Sequence, residues 1–140
     1  MDDQLHNQFK SVKFTPEITE MYSSIIQSDL ITKKVLLLIA RNLHEQENTK
    51  KLMGVTINDI TEKLQIQRKQ KVAKGRNFTF ELTHKNIDRK AAERIVDKLL
   101  SMSLLYYKPV KPYKYLFMTQ RGIQVTQELI KKSEGAKKDA

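Results

Sequence analysis

The chain has 140 residues, no cysteine and a formal net charge of +10. That length suits one domain with one core. The lack of cysteine excludes disulfides and thiolate metal sites, and the longest apolar run, VLLLIA at 35–40, is too short to span a bilayer. The charge is uneven. Residues 1–28 hold four acids and two bases, net −2; residues 29–66 hold six bases and five acids, net +1; residues 67–132 hold sixteen bases and five acids, net +11. A positive field of that size points to a polyanion, nucleic acid first and an anionic membrane surface second. No apolar run near the first residue resembles a signal peptide, so the expected location is cytoplasmic, with no membrane partner.

Residues 1–15 are polar and aperiodic, and the expectation is a flexible arm. Thr15 as N-cap and Pro16 in the first turn predict a helix over 16–27, with Ile18, Met21, Tyr22, Ile25 and Ile26 as its apolar stripe. The run DLITKKVLLLIARNLHE at 29–45 is apolar on most sides and predicts a central helix, broken by QENTKK at 46–51. VTI at 55–57 predicts a brief strand after Gly54. Asn58 then caps a short helix, NDITEKL, that buries Ile60 and Leu64.

QRKQKVAKGR at 67–76 holds five bases and no acid and reads as a basic insertion, a solvated loop able to order on a phosphate strand. FTFEL after it alternates as a strand does. The next segment predicts a helix capped by Asp88 or Thr83. Its apolar stripe is Ala92, Ile95, Val96, Leu99 and Leu100, and its polar face carries Arg89, Lys90, Glu93, Arg94, Asp97 and Lys98. LLYYKPV and YLFMT predict two antiparallel strands around a turn marked by Pro109 and Pro112, which cannot donate ladder bonds. Thr119 caps a last helix over QRGIQVTQELIKK, with Lys131 and Lys132 at its negative end. SEGAKKDA at 133–140 reads as a disordered tail.

In this order the elements resemble the winged helix-turn-helix domains of bacterial and archaeal regulators, MarR-like in the broad sense, over residues 29–132. IDRKAAERIVDKLLSMSLLYY is similar to the recognition helix and first wing strand of such regulators, with Ile87 in the turn, Asp88 as cap and Ser103 where glycine is usual. FMTQRGIQV is similar to the segment that ends the second wing strand and opens the next helix. Two features depart from the pattern. About twenty residues separate Leu64 from Asp88, where the family has a short turn, and the acidic, arginine-rich wing motif of MarR proteins is absent. Either 67–76 is an insertion, or QIQRKQKVAK is itself the recognition helix. The later helix is preferred because it runs directly into the wing strands.

The resemblance implies a mainly α fold with a small β-hairpin wing, one domain over 16–132, and a helix that enters a major groove roughly 12 Å wide. Asn86, Arg89, Lys90, Arg94 and Lys98 are the expected recognition-helix contacts. Arg89 is first among them, since a guanidinium offers paired donors to guanine. Lys108, Lys111, Tyr113 and Lys114 are the expected wing contacts, holding sugar-phosphate and register. Arg68, Lys69, Lys71, Lys74 and Arg76 are the expected contacts of the basic insertion. The plain alternative is that Glu93 and Asp97 neutralise a merely wet helix face.

No histidine pair has metal spacing, no glycine-rich phosphate loop or serine nucleophile motif is present, and no enzyme activity, metal or cofactor is expected. The expected function is sequence-specific binding of double-stranded DNA, as a repressor acting as a homodimer through helix 16–27 and the C-terminal helix. The alternatives are a plasmid or phage replication or partition protein on repeated sites, and a winged domain that binds an acidic protein.

Overall fold

A computed structural model of the chain describes residues 8–138. It is mixed α/β, with five helices and two two-stranded antiparallel sheets among the described residues. Thr15 caps α1 (Pro16–Gln27) as expected, its hydroxyl accepting from the Ile18 amide at 3.3 Å. The stripe on α1 is corrected. Tyr22 and Ile26 turn inward, but Ile18, Met21 and Ile25 are exposed, and Thr19 and Ser23 occupy the buried line instead. Small side chains there let α1 lie close against the last helix. Their hydroxyls bond back to the Thr15 and Glu20 carbonyls, so their burial leaves no unmet polar atom.

Asp29 caps α2 (Leu30–Asn48), and Val35, Leu36, Ile39 and Leu43 place this helix at the centre of the core. It ends slightly later than predicted because Gln46 does not break it. Gln46 instead holds the following loop, accepting from the Met53 and Gly54 amides and donating to the Gly54 carbonyl. The brief strand at 55–57 is reduced to one bridge, Val55 paired with Leu116. Thr56, rather than Asn58, caps α3 (Ile57–Lys63). Thr56 and Asp59 close a reciprocal capping box, which satisfies two amides where Asn58 would satisfy one.

The largest correction falls on 65–86. The basic run is neither a loop nor a helix but β1 (Gln65–Lys74), paired along its whole length with β2 (Asn77–Asn86), from Gln65 opposite Asn86 to Lys74 opposite Asn77. The alternating FTFEL strand needed a partner, and the basic run supplies it. Gly75 takes φ +59 at the first turn position, the left-handed backbone that a two-residue hairpin of this kind requires. At the root the Ile87 amide donates to the Leu64 carbonyl at 3.0 Å, and Leu64, Ile66 and Ile87 are buried. Asn86 therefore ends a strand and does not belong to the following helix.

Asp88 stands at the N-cap of α4 (Arg89–Ser101), which buries Ala92, Val96, Leu99 and Leu100 against α2 and α3. Ser103 follows at φ +61, the left-handed position where a glycine would be usual. β3 (Leu105–Val110) and β4 (Tyr113–Met118) pair as expected, with Leu105 opposite Met118 and Val110 opposite Tyr113. The peptide bond Lys111–Pro112 in their turn is cis. Thr119 caps α5 (Gln120–Lys138) by accepting from the Gly122 amide at 3.1 Å. The helix continues through 133–138, so the expected tail is helical there; residues 139 and 140 lie outside the described residues.

The expected flexible arm is also corrected over 8–15; residues 1–7 lie outside the described residues. The Gln120 amide donates to the Lys10 carbonyl at 2.8 Å, Gln124 bonds both the amide and the carbonyl of Phe14, and the Phe14 ring stacks on Tyr22 at 4.9 Å. Arg121 fastens the segment. Its guanidinium donates to the carbonyls of Phe9 at 2.7 Å and Val12 at 2.8 Å, and to the carbonyl and hydroxyl of Ser103.

Candidate nucleic-acid interface

The pairing of α3 with α4 survives the long insertion because the Leu64 to Ile87 bond brings the two helix ends together as a short turn would. The polar flank of α4 is open to solvent. Arg89, Lys90, Glu93, Arg94, Asp97 and Lys98 are all exposed. One side of this flank, carrying Arg89, Glu93 and Asp97, borders a groove whose far wall is Pro112, Tyr113 and Lys114 from the β3–β4 turn. The other side, carrying Arg94 and Lys98, borders a shallow groove with Asp29 and Ile66 at the root of β1. α4 thus runs between the two hairpins.

The bases on α4 are not equivalent. Arg89 donates from Nε to Glu93 Oε1 at 3.2 Å and from its terminal nitrogen to Asn58 Oδ1. Lys98 is 3.6 Å from the Asp29 carboxylate, the N-cap of α2, so it helps to join two helices. The Asp29 carboxyl is held below its usual pKa, first by the Thr32 hydroxyl at 2.8 Å, against an opposing effect of burial, then by the Thr32 amide and the Lys98 charge. Lys90 and Arg94 lie on the outward part of the helix.

On the second hairpin, lysines lean over aromatic rings. Lys108 lies 5.2 Å from the Phe117 ring centre and Lys114 4.8 Å from that of Tyr107. Such contacts restrict long side chains that would otherwise be freely rotating. Lys111 is exposed in the turn, and exposed Tyr113 meets Tyr115 edge to face at 6.3 Å. Tyr106 is half-buried, stacked on Phe117 at 5.5 Å, and burial raises its pKa. Tyr113 and Tyr115 share one face of β4, and burial falls toward the hairpin tip, so Tyr115 is half-buried and Tyr113 exposed.

On β1–β2, Lys71 stands 3.9 Å over the Phe78 ring, and Lys74 and Arg76 are exposed on either side of the turn glycine. The side chains of Arg68 and Lys69 lie outside the described residues. Of the predicted bases, Arg89 of α4 and Lys114 of the β3–β4 hairpin come together across one groove, with Tyr113 beside them, whereas Arg94 and Lys98 border the other groove. Those of β1–β2 belong to a separate ribbon that starts where α4 starts.

Sequence reasoning missed Asn58 as a partner of Arg89, Asp29 as a partner of Lys98, and Arg121. The last had a signal. A cation in the first turn of a helix opposes the helix dipole, so Arg121 at the start of α5 needed some other reason to be there. Among the described residues no group of three His, Cys, Asp or Glu side chains could hold a metal, and no helix is long and apolar enough to cross a membrane. No family model matches the chain, and no curated protein or solved structure is significantly similar to it.

Proposed function

We propose that the protein is a winged helix-turn-helix DNA-binding protein of the cytoplasm, with α3 and α4 as the helix pair, α4 in the major groove and β3–β4 as the wing. One observation carries this reading. Arg89 in the first turn of α4 lies across a groove from Tyr113 and Lys114 of the β3–β4 hairpin, and Lys90 and Arg94 are exposed on the same helix, so a helix and a wing both offer cations to solvent. Lys90 and Arg94 address bases and phosphates. Arg89 does so after exchanging its exposed partners, and Lys111 and Lys114 hold the sugar-phosphate strand.

The protein acts as a homodimer that represses transcription by occupying two half-sites about 34 Å apart. The apolar contact between copies comes from the exposed Ile18, Met21 and Ile25 of α1, on the helix that packs against α5. Leaving three large apolar side chains in water on one helix has no benefit for a monomer.

Selecting duplexes from a random pool at two salt concentrations tests the reading. The expected result is an enriched inverted repeat whose binding is lost in the double variant Lys90→Ala, Arg94→Ala. Enrichment of no duplex, or binding unaltered in that variant, rejects it. Sedimentation at micromolar concentration should show a dimer.

A further inference from the structure

The β1–β2 hairpin has an unexplained face. Alternation places Phe78, Phe80 and Leu82 on one side of β2, opposite Ala73, Lys71 and Lys69 on β1. Phe78 is 59% exposed, Phe80 70% and Leu82 67%, whereas the other face turns Ile66 into the core at the root. A ribbon could present threonine or lysine at these positions and pair equally well. Three large apolar side chains in a row, left in water on a bare two-stranded sheet, mark a surface made to be covered.

The charge around the stripe says what covers it. Residues 65–86 contain six bases and one acid. Two such ribbons laid face to face would set like charges together, so a second copy of the chain is the disfavoured occupant, and a polyanion the favoured one. Lys71 already lies along the stripe, over Phe78, and Lys74 and Arg76 flank the turn, so cations would sit at phosphates while the apolar side chains point between them.

From this juxtaposition we infer that β1–β2 is a second DNA-binding arm, whose stripe of Phe78, Phe80 and Leu82 wedges between base pairs and bends the duplex. The inference rests on the reading of the protein as a duplex binder. A two-stranded ribbon fits a groove of DNA, and apolar wedges inserted at a base step unstack it and kink the helix. Ten residues per strand give the arm a length on the order of 33 Å, about one turn of the duplex. Rooted at the N-terminal end of α4, it reaches base pairs beyond those that α4 touches. The Lys and Arg side chains near its turn hold the arm to the backbone, and the wedge supplies the deformation.

The test uses the full chain and a mixed-sequence duplex about four turns long, labelled at both ends for energy transfer and carrying 2-aminopurine at several steps. The wild-type protein should shorten the end-to-end distance, as a bend of about 20–90° does, and raise the 2-aminopurine emission. The triple variant Phe78→Ser, Phe80→Ser, Leu82→Ser should still bind but lose both signals. Because the chain has no tryptophan, Phe80→Trp supplies a second readout, an emission quenched when duplex is added. A duplex that is bound but neither bent nor unstacked overturns the inference, and so does an equal bend with the triple variant. A triple variant that bends DNA normally but sediments as a smaller species overturns it too, assigning the stripe to a contact between copies. Failure of the wild-type protein to bind any duplex at low salt removes the DNA-binding reading itself, and the arm with it.

Discussion

The amide of Ile87 donates to the carbonyl of Leu64 at 3.0 Å, closing the base of a hairpin whose far end is ten residues away along each strand. Both side chains are buried, so the root belongs to the core while the ribbon above it does not. The ribbon should therefore be removable. Replacing residues 68–83 by Asn-Gly joins Gln67 to His84, already opposite each other, through a turn suited to a two-residue hairpin. We expect helical circular dichroism to be retained and the melting temperature to shift by no more than about 5 °C, the equivalent of about 1 kcal/mol for a chain of this size. Loss of cooperative unfolding would show that the ribbon is part of the folding unit.

The boundaries of α1, the capping roles of Thr15 and Thr119, the α4 stripe and the β3–β4 hairpin were legible in the sequence because each rests on local chemistry: a cap, a 3.6-residue period or a proline at a turn. The ribbon was half legible. FTFEL alternates, but Gln65–Lys74 has no apolar period, and a strand so polar is recognised only by its partner. Which side of α1 is buried was not legible either. Ile18, Met21 and Ile25 make the more apolar line, yet the core takes Thr19, Ser23 and Ile26, since close approach to α5 favours small side chains. The bases of the candidate interface were identifiable by residue type, but their partners were not. Asn58 meets Arg89 and Asp29 meets Lys98 across long sequence gaps.

Arg121 is the second fastening of the fold. Its fork joins the segment 9–12, the loop at Ser103 and the start of α5, and burial lowers the pKa of the guanidinium without discharging it. Arg121→Met should destabilise the protein by about 1.5–3 kcal/mol, the net value of a hydrogen bond to a charged group, measured as a lower urea midpoint. Cleavage by a protease within 9–14 should accelerate as well. Arg121→Lys should recover little, because an ammonium cannot span carbonyls on two segments as a planar fork does. A variant with the wild-type midpoint and protection would contradict this account.

Asp29 predicts a specific acid sensitivity. Its folded pKa is depressed by Thr32 and Lys98, so the ionised carboxylate stabilises the fold at every pH above the unfolded value of about 3.9. That contribution fades as pH falls through the folded value. Asp29→Asn keeps a capping side chain but removes the charge. The stability difference between wild type and variant should be constant from neutral pH down to about pH 5, then shrink toward zero below the unfolded pKa. The pair is half exposed and open to screening, so the difference should also diminish in high salt. A difference that grew on acidification would assign the depression to another group.

Arg89 and Glu93 form an exposed i, i+4 pair, which typically contributes about 0.3–0.5 kcal/mol to the helix. If α4 enters a groove, that pair has two opposed effects. It holds Arg89 toward Asn58 and away from a base edge, and it puts a carboxylate where phosphates converge. Both effects oppose binding, and neither is strong enough to matter for folding. Glu93→Gln should therefore leave the melting temperature nearly unchanged and tighten binding of the selected duplex by up to about tenfold, or about 1.4 kcal/mol. The slope of affinity against salt should stay the same, because the number of cations at phosphates does not change. Weaker binding by Glu93→Gln would mean that the carboxylate positions Arg89 for its contact. Unchanged binding would mean that this flank of α4 does not approach the duplex at all.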